Sequence, residues 1–202
     1  MEEYPTETLY KKIAFIRVPL RLGDDVFTTG KIEDKKRHRL RETMQGFSYI
    51  MSAFNVEAYR AYATCAMREA LNGEEIVREL KEASELNVEI ISGTKEAETI
   101  FAGGMKDVVE NDKTYLYVDV GGGSTEVIVY SKGEKVDARS FPIGTVRILN
   151  DAVGKGETKS FKTWLKSLYQ KYTPDYIIGS GGNINKVHKL LNKKENETIT
   201  YQ

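Results

Sequence analysis

Tyr115-Leu-Tyr-Val-Asp-Val-Gly-Gly-Gly-Ser-Thr-Glu-Val-Ile-Val-Tyr130 is the stretch on which the reading of this chain turns. An apolar run, Leu116 to Val120, carries one acid, Asp119, just before Gly121, Gly122 and Gly123. Past Ser124 a second β-branched run, Thr125 to Val129, follows at once. The pattern predicts a strand, a glycine turn and a strand. Three adjacent glycines lose more backbone entropy on folding than any other triplet. They are expected where backbone N–H groups must approach a ligand closely, as in loops that cradle phosphate. Asp119 and Glu126, at the two ends of the loop, can hold Mg²⁺, a hard cation that takes few carboxylates and often the substrate's own phosphate oxygens. A Walker A or Rossmann loop would open a helix, whereas the residues here continue as strand. The bland alternative for this segment alone is a glycine-rich hairpin with incidental acids.

Outward from that hairpin, Lys135 to Pro142 reads as a third antiparallel strand after a turn at Ser131 to Glu134. Phe161, Trp164, Leu165, Leu168, Tyr169 and Tyr172 mark an amphipathic helix. Asp175 to Ile178 is a strand ending in Gly179-Ser180-Gly181-Gly182, and that second glycine turn opens a helix through Asn183 to Leu191. A strand-to-helix turn presents free N–H groups and the positive helix end to an anion. Close helix–strand packing explains such a turn equally well. Two glycine turns of different geometry together favour a phosphorylated substrate.

Toward the N-terminus, Lys12 to Leu22 reads as a strand, with Pro19 marking an edge or bulge. Gly23-Asp24-Asp25 and Thr28-Thr29-Gly30 read as turns, and Glu33 to Phe54 as a long amphipathic helix. Val56 to Ala63 and Val88 to Ile91 are strands, with helices around Met67 to Ala70 and over Glu74 to Leu86. Ser92 or Thr94 caps a further helix running to about Val109. Alternating strands and helices make the class α/β.

With 202 residues the chain is one large domain or two small ones. Lys+Arg and Asp+Glu are both 30, so binding of anions must come from local placement rather than bulk charge. No apolar run is long enough to span a bilayer, and no signal-peptide pattern opens the chain. A single cysteine, Cys65, excludes an internal disulfide framework and fits a reducing cytoplasm. The basic run Lys35 to Arg41 reads as the wet face of a helix, and the tyrosines lack stacking-motif spacing, so neither DNA nor RNA recognition is expected.

Two more residues invite chemistry. Glu96 lies in the first turn of its predicted helix, where a carboxylate normally stabilises the helix. It becomes a general base only if that helix points at the glycine loop. Arg68, just past a strand end, is either a bidentate phosphate clamp or a solvated arginine.

Ala63-Thr-Cys-Ala-Met-Arg-Glu-Ala70, Ile90-Ile-Ser-Gly-Thr-Lys-Glu-Ala97, Val118-Asp-Val-Gly-Gly-Gly-Ser-Thr-Glu126 and Gly179-Ser-Gly-Gly182, with Pro142-Ile-Gly-Thr-Val-Arg147 and Arg21-Leu-Gly23, occur in an order that resembles one family. It is the exopolyphosphatase/guanosine pentaphosphate phosphohydrolase family, within the actin-like ATPase and sugar-kinase superfamily. The resemblance implies two ribonuclease-H-like lobes, 1–112 and 113–202, with an interlobe cleft. Both lobes are expected to be incomplete. The family's opening strand and first phosphate loop, Asp-Ile/Leu-Gly-Ser-Asn, has no counterpart in Met1 to Tyr10, and the chain stops soon after the second glycine turn. Lys95 stands where the family often has an acid, and Cys65 where serine is common.

By that likeness the function is Mg²⁺-dependent release of terminal phosphate from polyphosphate or guanosine pentaphosphate. Glu96 would be the base and Arg68 a clamp. Asp119 and Glu126 would serve the metal, and Gly121 to Ser124 and Gly179 to Gly182 the phosphates. A homodimer is compatible with the family. A non-catalytic polyphosphate- or nucleotide-binding module and a superfamily kinase or ATPase stay open as other readings.

Overall fold

A computed structural model describes residues 13–102, 110–194 and 197–199. The β-branched runs at the glycine turn form β3 (Thr114–Val120) and β4 (Thr125–Ser131), paired antiparallel with Asp119 opposite Glu126. β5 (Glu134–Phe141) adds antiparallel to β4, as the turn at Ser131 to Glu134 predicts. β6 (Tyr176–Ser180) joins the other side of β3 in parallel, giving the order β5-β4-β3-β6.

Side chains alternate across a sheet, so the hairpin has two distinct faces. One face carries Tyr115, Tyr117, Ile128 and Tyr130, and packs with Ala97 of α5 (Gly93–Ala102). The other carries Leu116, Val127 and Val129, and packs with Leu168 of α7 (Glu157–Tyr172). Register then decides where the acids go. Asp119 and Glu126 fall in step with Tyr117 and Ile128, on the face that α5 covers.

The N-terminal half builds its own core from Val26, Ile32, Leu40, Met67, Ile76 and Leu80. These come from α1 (Leu22–Thr29), the connection that holds Ile32, α2 (Asp34–Ala53), α3 (Cys65–Glu69) and α4 (Gly73–Ser84), packed on a short parallel pair, β1 (Ala61–Ala63) and β2 (Val88–Ile90). Two shorter helices complete the order: α6 (Thr145–Leu149) after β5 and α8 (Gly182–Leu190) after β6.

Two expected strands are corrected. Within Lys12 to Leu22 the described residues 13–20 belong to no regular element, and Leu22 already starts α1. The supposed turn Gly23-Asp24-Asp25 is the first turn of that helix, where the two acids suit the positive end. Of Val56 to Ala63, only Ala61–Ala63 pair, because β2 offers three partner residues. A strand exists only as far as its neighbour does. The end of the expected helix, towards Val109, lies outside the described residues. No described helix is long and apolar enough to cross a membrane.

Candidate active site

The glycine loop meets α1, the start of α3, α5 and α6 around a cleft of about 460 Å³. Its lining includes Glu96, Asp119, Gly121, Gly122, Gly123, Ser124 and Glu126, together with Arg21, Asp24, Phe27 and Cys65. A cavity of equal volume between α2 and β1 is apolar, lined by Leu40, Met44, Phe47, Met51 and Tyr62 among others, and carries no acid.

Gly122 and Gly123 are required by space rather than by dihedral angle, whereas a Cβ on Gly121 would meet only Ser124 O at 3.4 Å. None of the three has a positive φ. A Cβ on Gly123 would overlap the Phe27 ring and Cys65 Sγ, and one on Gly122 would come within 3.2 Å of Val146 Cγ2. The loop therefore lies flush against α1, α3 and α6. Its carbonyls are fixed from one direction. Gly121 O accepts from Thr145 N at 3.0 Å, Gly122 O from Val146 N at 2.8 Å and Gly123 O from Arg147 Nε at 2.6 Å. In a trans peptide the C=O and the following N–H point opposite ways. Tying these three carbonyls to α6 thus turns the N–H groups of Gly122, Gly123 and Ser124 away from it.

Glu96 reaches the same cleft because α5 starts against the sheet. Ser92 caps that helix, its Oγ accepting from Lys95 N at 3.2 Å. Gly93 follows, so close that an added Cβ would overlap Ser140 Oγ and stand 2.9 Å from Glu126 Oε1. Glu96 thereby lines the same cleft as the glycine loop.

Burial pushes the Glu96 carboxyl above the ordinary carboxylate range, and the charges of Glu126 and Asp119 add to the rise. Arg68 and the Thr64 hydroxyl oppose it. Glu96 Oε2 is buried with no hydrogen-bond partner. Burial also raises Glu126, against the Ser124 and Ser140 hydroxyls, and Asp119 adds to that rise. Ser140 Oγ donates to Glu126 Oε1 at 2.9 Å.

Three acids thus crowd a partly buried site, and their mutual repulsion favours a proton or a cation among them. Among the described residues no three His, Cys, Asp or Glu side chains are arranged to hold a metal by themselves. Mg²⁺ commonly takes only one or two carboxylates and completes its shell with water and phosphate oxygens, so the Asp119–Glu126 pair suits it as a donor set.

The other expected site residues stand apart from the cleft lining. Arg68 lies beside it: its Nη1 donates to Ile91 O at 2.5 Å and stands 3.8 Å from Glu96 Oε2. The second glycine turn abuts the site from behind. A Cβ on Gly181 would lie 2.9 Å from Asp119 Oδ1, and Ser180 Oγ bonds Tyr117 Oη at 2.7 Å. Gly179 is matched to the side chain of Ile184, which is close helix–strand packing, and nothing lies within 4 Å of a Cβ on Gly182.

Arg147 is the residue whose part the sequence reading missed. It holds Gly123 O, pairs with Glu69 of α3 and lies 4.6 Å over the Phe27 ring of α1. Its place in Pro142-Ile-Gly-Thr-Val-Arg147 was the available signal, but nothing in that string says which elements it joins.

Residues 6–191 match the Ppx/GppA phosphatase family. The chain is 29% identical to a putative exopolyphosphatase of Haemophilus influenzae, over 76% of this chain and 52% of that protein. It is 28% identical to a guanosine-5'-triphosphate,3'-diphosphate pyrophosphatase of Aeromonas hydrophila, over 72% of this chain and 32% of the other. Among solved structures, an exopolyphosphatase from Cytophaga hutchinsonii superposes with a TM-score of 0.68 at 26% identity, covering 81% of this chain and 56% of that one. The chain spans about a third to a half of the length of these two curated relatives. With a match over most of its residues and the same α/β architecture, the chain belongs to the Ppx/GppA phosphatase family.

Proposed function

We propose that the cleft hydrolyses a terminal phosphoanhydride, in inorganic polyphosphate or in guanosine pentaphosphate, and that it lies between two lobes, 1–112 and 113–202. The observation that carries this reading is the convergence of Glu96, Asp119, Glu126 and the Gly121–Ser124 loop on one cavity, from separate elements. The amides of Gly122, Gly123 and Ser124 seat the terminal phosphate. Asp119 and Glu126 are the residues that would hold Mg²⁺, which when bound supplies positive charge against the phosphate oxygens. Glu96 accepts the proton of the attacking water, whose oxygen bonds to the terminal phosphorus as the bridging P–O bond breaks. The shortened chain leaves with the bridging oxygen. Arg68, 3.8 Å from Glu96, orients that carboxylate and favours its ionised form against the rise that burial imposes. Such chemistry is chiefly positioning and charge neutralisation.

Phosphate release from polyphosphate with Mg²⁺ tests the assignment. Glu96→Gln should lower the rate about 10²- to 10⁴-fold, the usual contribution of a general base. A variant as active as an active wild type would refute the base. Chelation of the metal should abolish turnover. One observation favours a second reading, binding without turnover: Arg68 is held by protein groups instead of lining the cavity. Tight polyphosphate binding with no release of phosphate would support it.

A further inference from the structure

The charge lining the cleft is wrong for an anion. Asp24, Glu96, Asp119 and Glu126 are acids, and Arg21 is the only base among the lining residues. The two nearby guanidinium groups are already engaged. Arg68 serves Ile91 O and Glu96, and Arg147 serves Gly123 O and Glu69. Arg21 differs from both. It is exposed, and no hydrogen bond or ion pair joins its guanidinium to a described residue.

Its backbone is also unusual. Arg21 precedes α1 at φ 53° and ψ 48°, the left-handed region that a side chain disfavours and glycine enters freely. The conformation is held on both sides. Leu20 and Leu22 pack against the N-terminal core, and Lys36 Nζ donates to Arg21 O at 2.6 Å while pairing with Asp25 at 2.7 Å. A strained residue over-determined by its surroundings, at the wall of a cavity, is a mark of function.

We infer that Arg21 contacts substrate: it grips a phosphate of an oligophosphate chain other than the one seated on the glycine loop, and so favours chains over orthophosphate. This rests on the phosphate reading of the cleft given above. The loop amides come from the β3–β4 hairpin and Arg21 from the entry to α1, so the two donors belong to separate walls. A guanidinium offers a planar fork to two phosphate oxygens.

Calorimetric titration of the full chain with tripolyphosphate and with orthophosphate, in Mg²⁺, tests the inference. Arg21→Gly should weaken tripolyphosphate about 10- to 100-fold, the loss expected for a charge-assisted hydrogen bond, and leave orthophosphate unchanged. Its melting temperature should hold or rise, because glycine adopts this backbone without strain. Arg21→Lys, with charge but no fork, should fall between. Arg17→Ala, exposed and outside the cleft, should match wild type. Unchanged tripolyphosphate affinity in Arg21→Gly would overturn the inference alone. So would equal losses for both ligands with a lowered melting temperature, the sign of a structural role. A wild type that binds no tripolyphosphate would overturn it together with the phosphate reading of the cleft.

Discussion

Glu96 has one carboxylate oxygen buried without a hydrogen bond, and two other acids press on it. Its folded-state pKa is raised above 4.5, so between that value and the raised one the folded chain holds a proton that the unfolded chain has released. Stability therefore falls as pH rises across this interval, and the penalty is absent below it. Glu96→Gln removes the charge and keeps the shape. The amide keeps a polar atom in the same place, so the gain comes from relieving the burial of the charge and its repulsion by Glu126 and Asp119, and a chain of this size gains roughly 2–4 °C per kcal/mol. The variant should melt several degrees above wild type at pH 7 and lose that advantage near pH 4.5. Thermal melts across pH check this, and a variant less stable at neutral pH would show that Glu96 is satisfied in solution. The same substitution lowers activity and raises stability, as expected of a strained functional site.

At the scale of the element, the loop and α6 act as one unit. Thr145, Val146 and Arg147 fix the three glycine carbonyls, and Gly144 makes the approach possible. A Cβ on Gly144 would overlap the Gly122 carbonyl. Backbone cannot step aside as a flexible side chain can, so Gly144→Ala should cost about 1–3 kcal/mol, in the range of overpacking, and weaken phosphate binding with it. Gly156→Ala, where a Cβ meets nothing within 4 Å, is the contrast: its φ of 90° makes it strained but leaves the cleft untouched. Melting and phosphate titration of the two variants separate these cases. A loss of phosphate affinity in both would mean that the binding defect reflects general destabilisation. Arg147 extends the unit to α3 and α1 through Glu69 and Phe27, so the loop is braced from both halves of the chain.

Across the whole molecule the four-stranded sheet has two unlike edges. β5 carries Glu134, Lys135, Asp137 and Arg139, charges that discourage pairing with another chain. β6, Tyr-Ile-Ile-Gly-Ser, has none; Ile177 is 72% exposed, and Leu190 at the end of α8 and Leu191 after it are exposed too. An uncharged, apolar edge templates strand addition. Ile177→Lys should reduce concentration-dependent light scattering and leave tripolyphosphate affinity as it was, since β6 lies outside the cleft lining. Scattering that persists unchanged would clear this edge of any part in association.

Periodicity and glycine punctuation are local signals, and they alone determined the hairpin β3–β4, the added strand β5, and the helices α2, α4 and α7. Alternation also placed Asp119 and Glu126 on one face, because a two-residue period leaves no choice once the turn is set. Tertiary structure decided the rest. Whether residues 13–20 or 56–60 become strand depends on a neighbouring edge, which no local pattern encodes. Whether Glu96 faces the loop depends on the fit of Gly93 against Ser140, residues 47 positions apart. Which arginine is free to meet an anion depends on where Glu69, Ile91 and Gly123 lie in space, and that is why Arg68 stood out in the sequence and Arg21 in the fold.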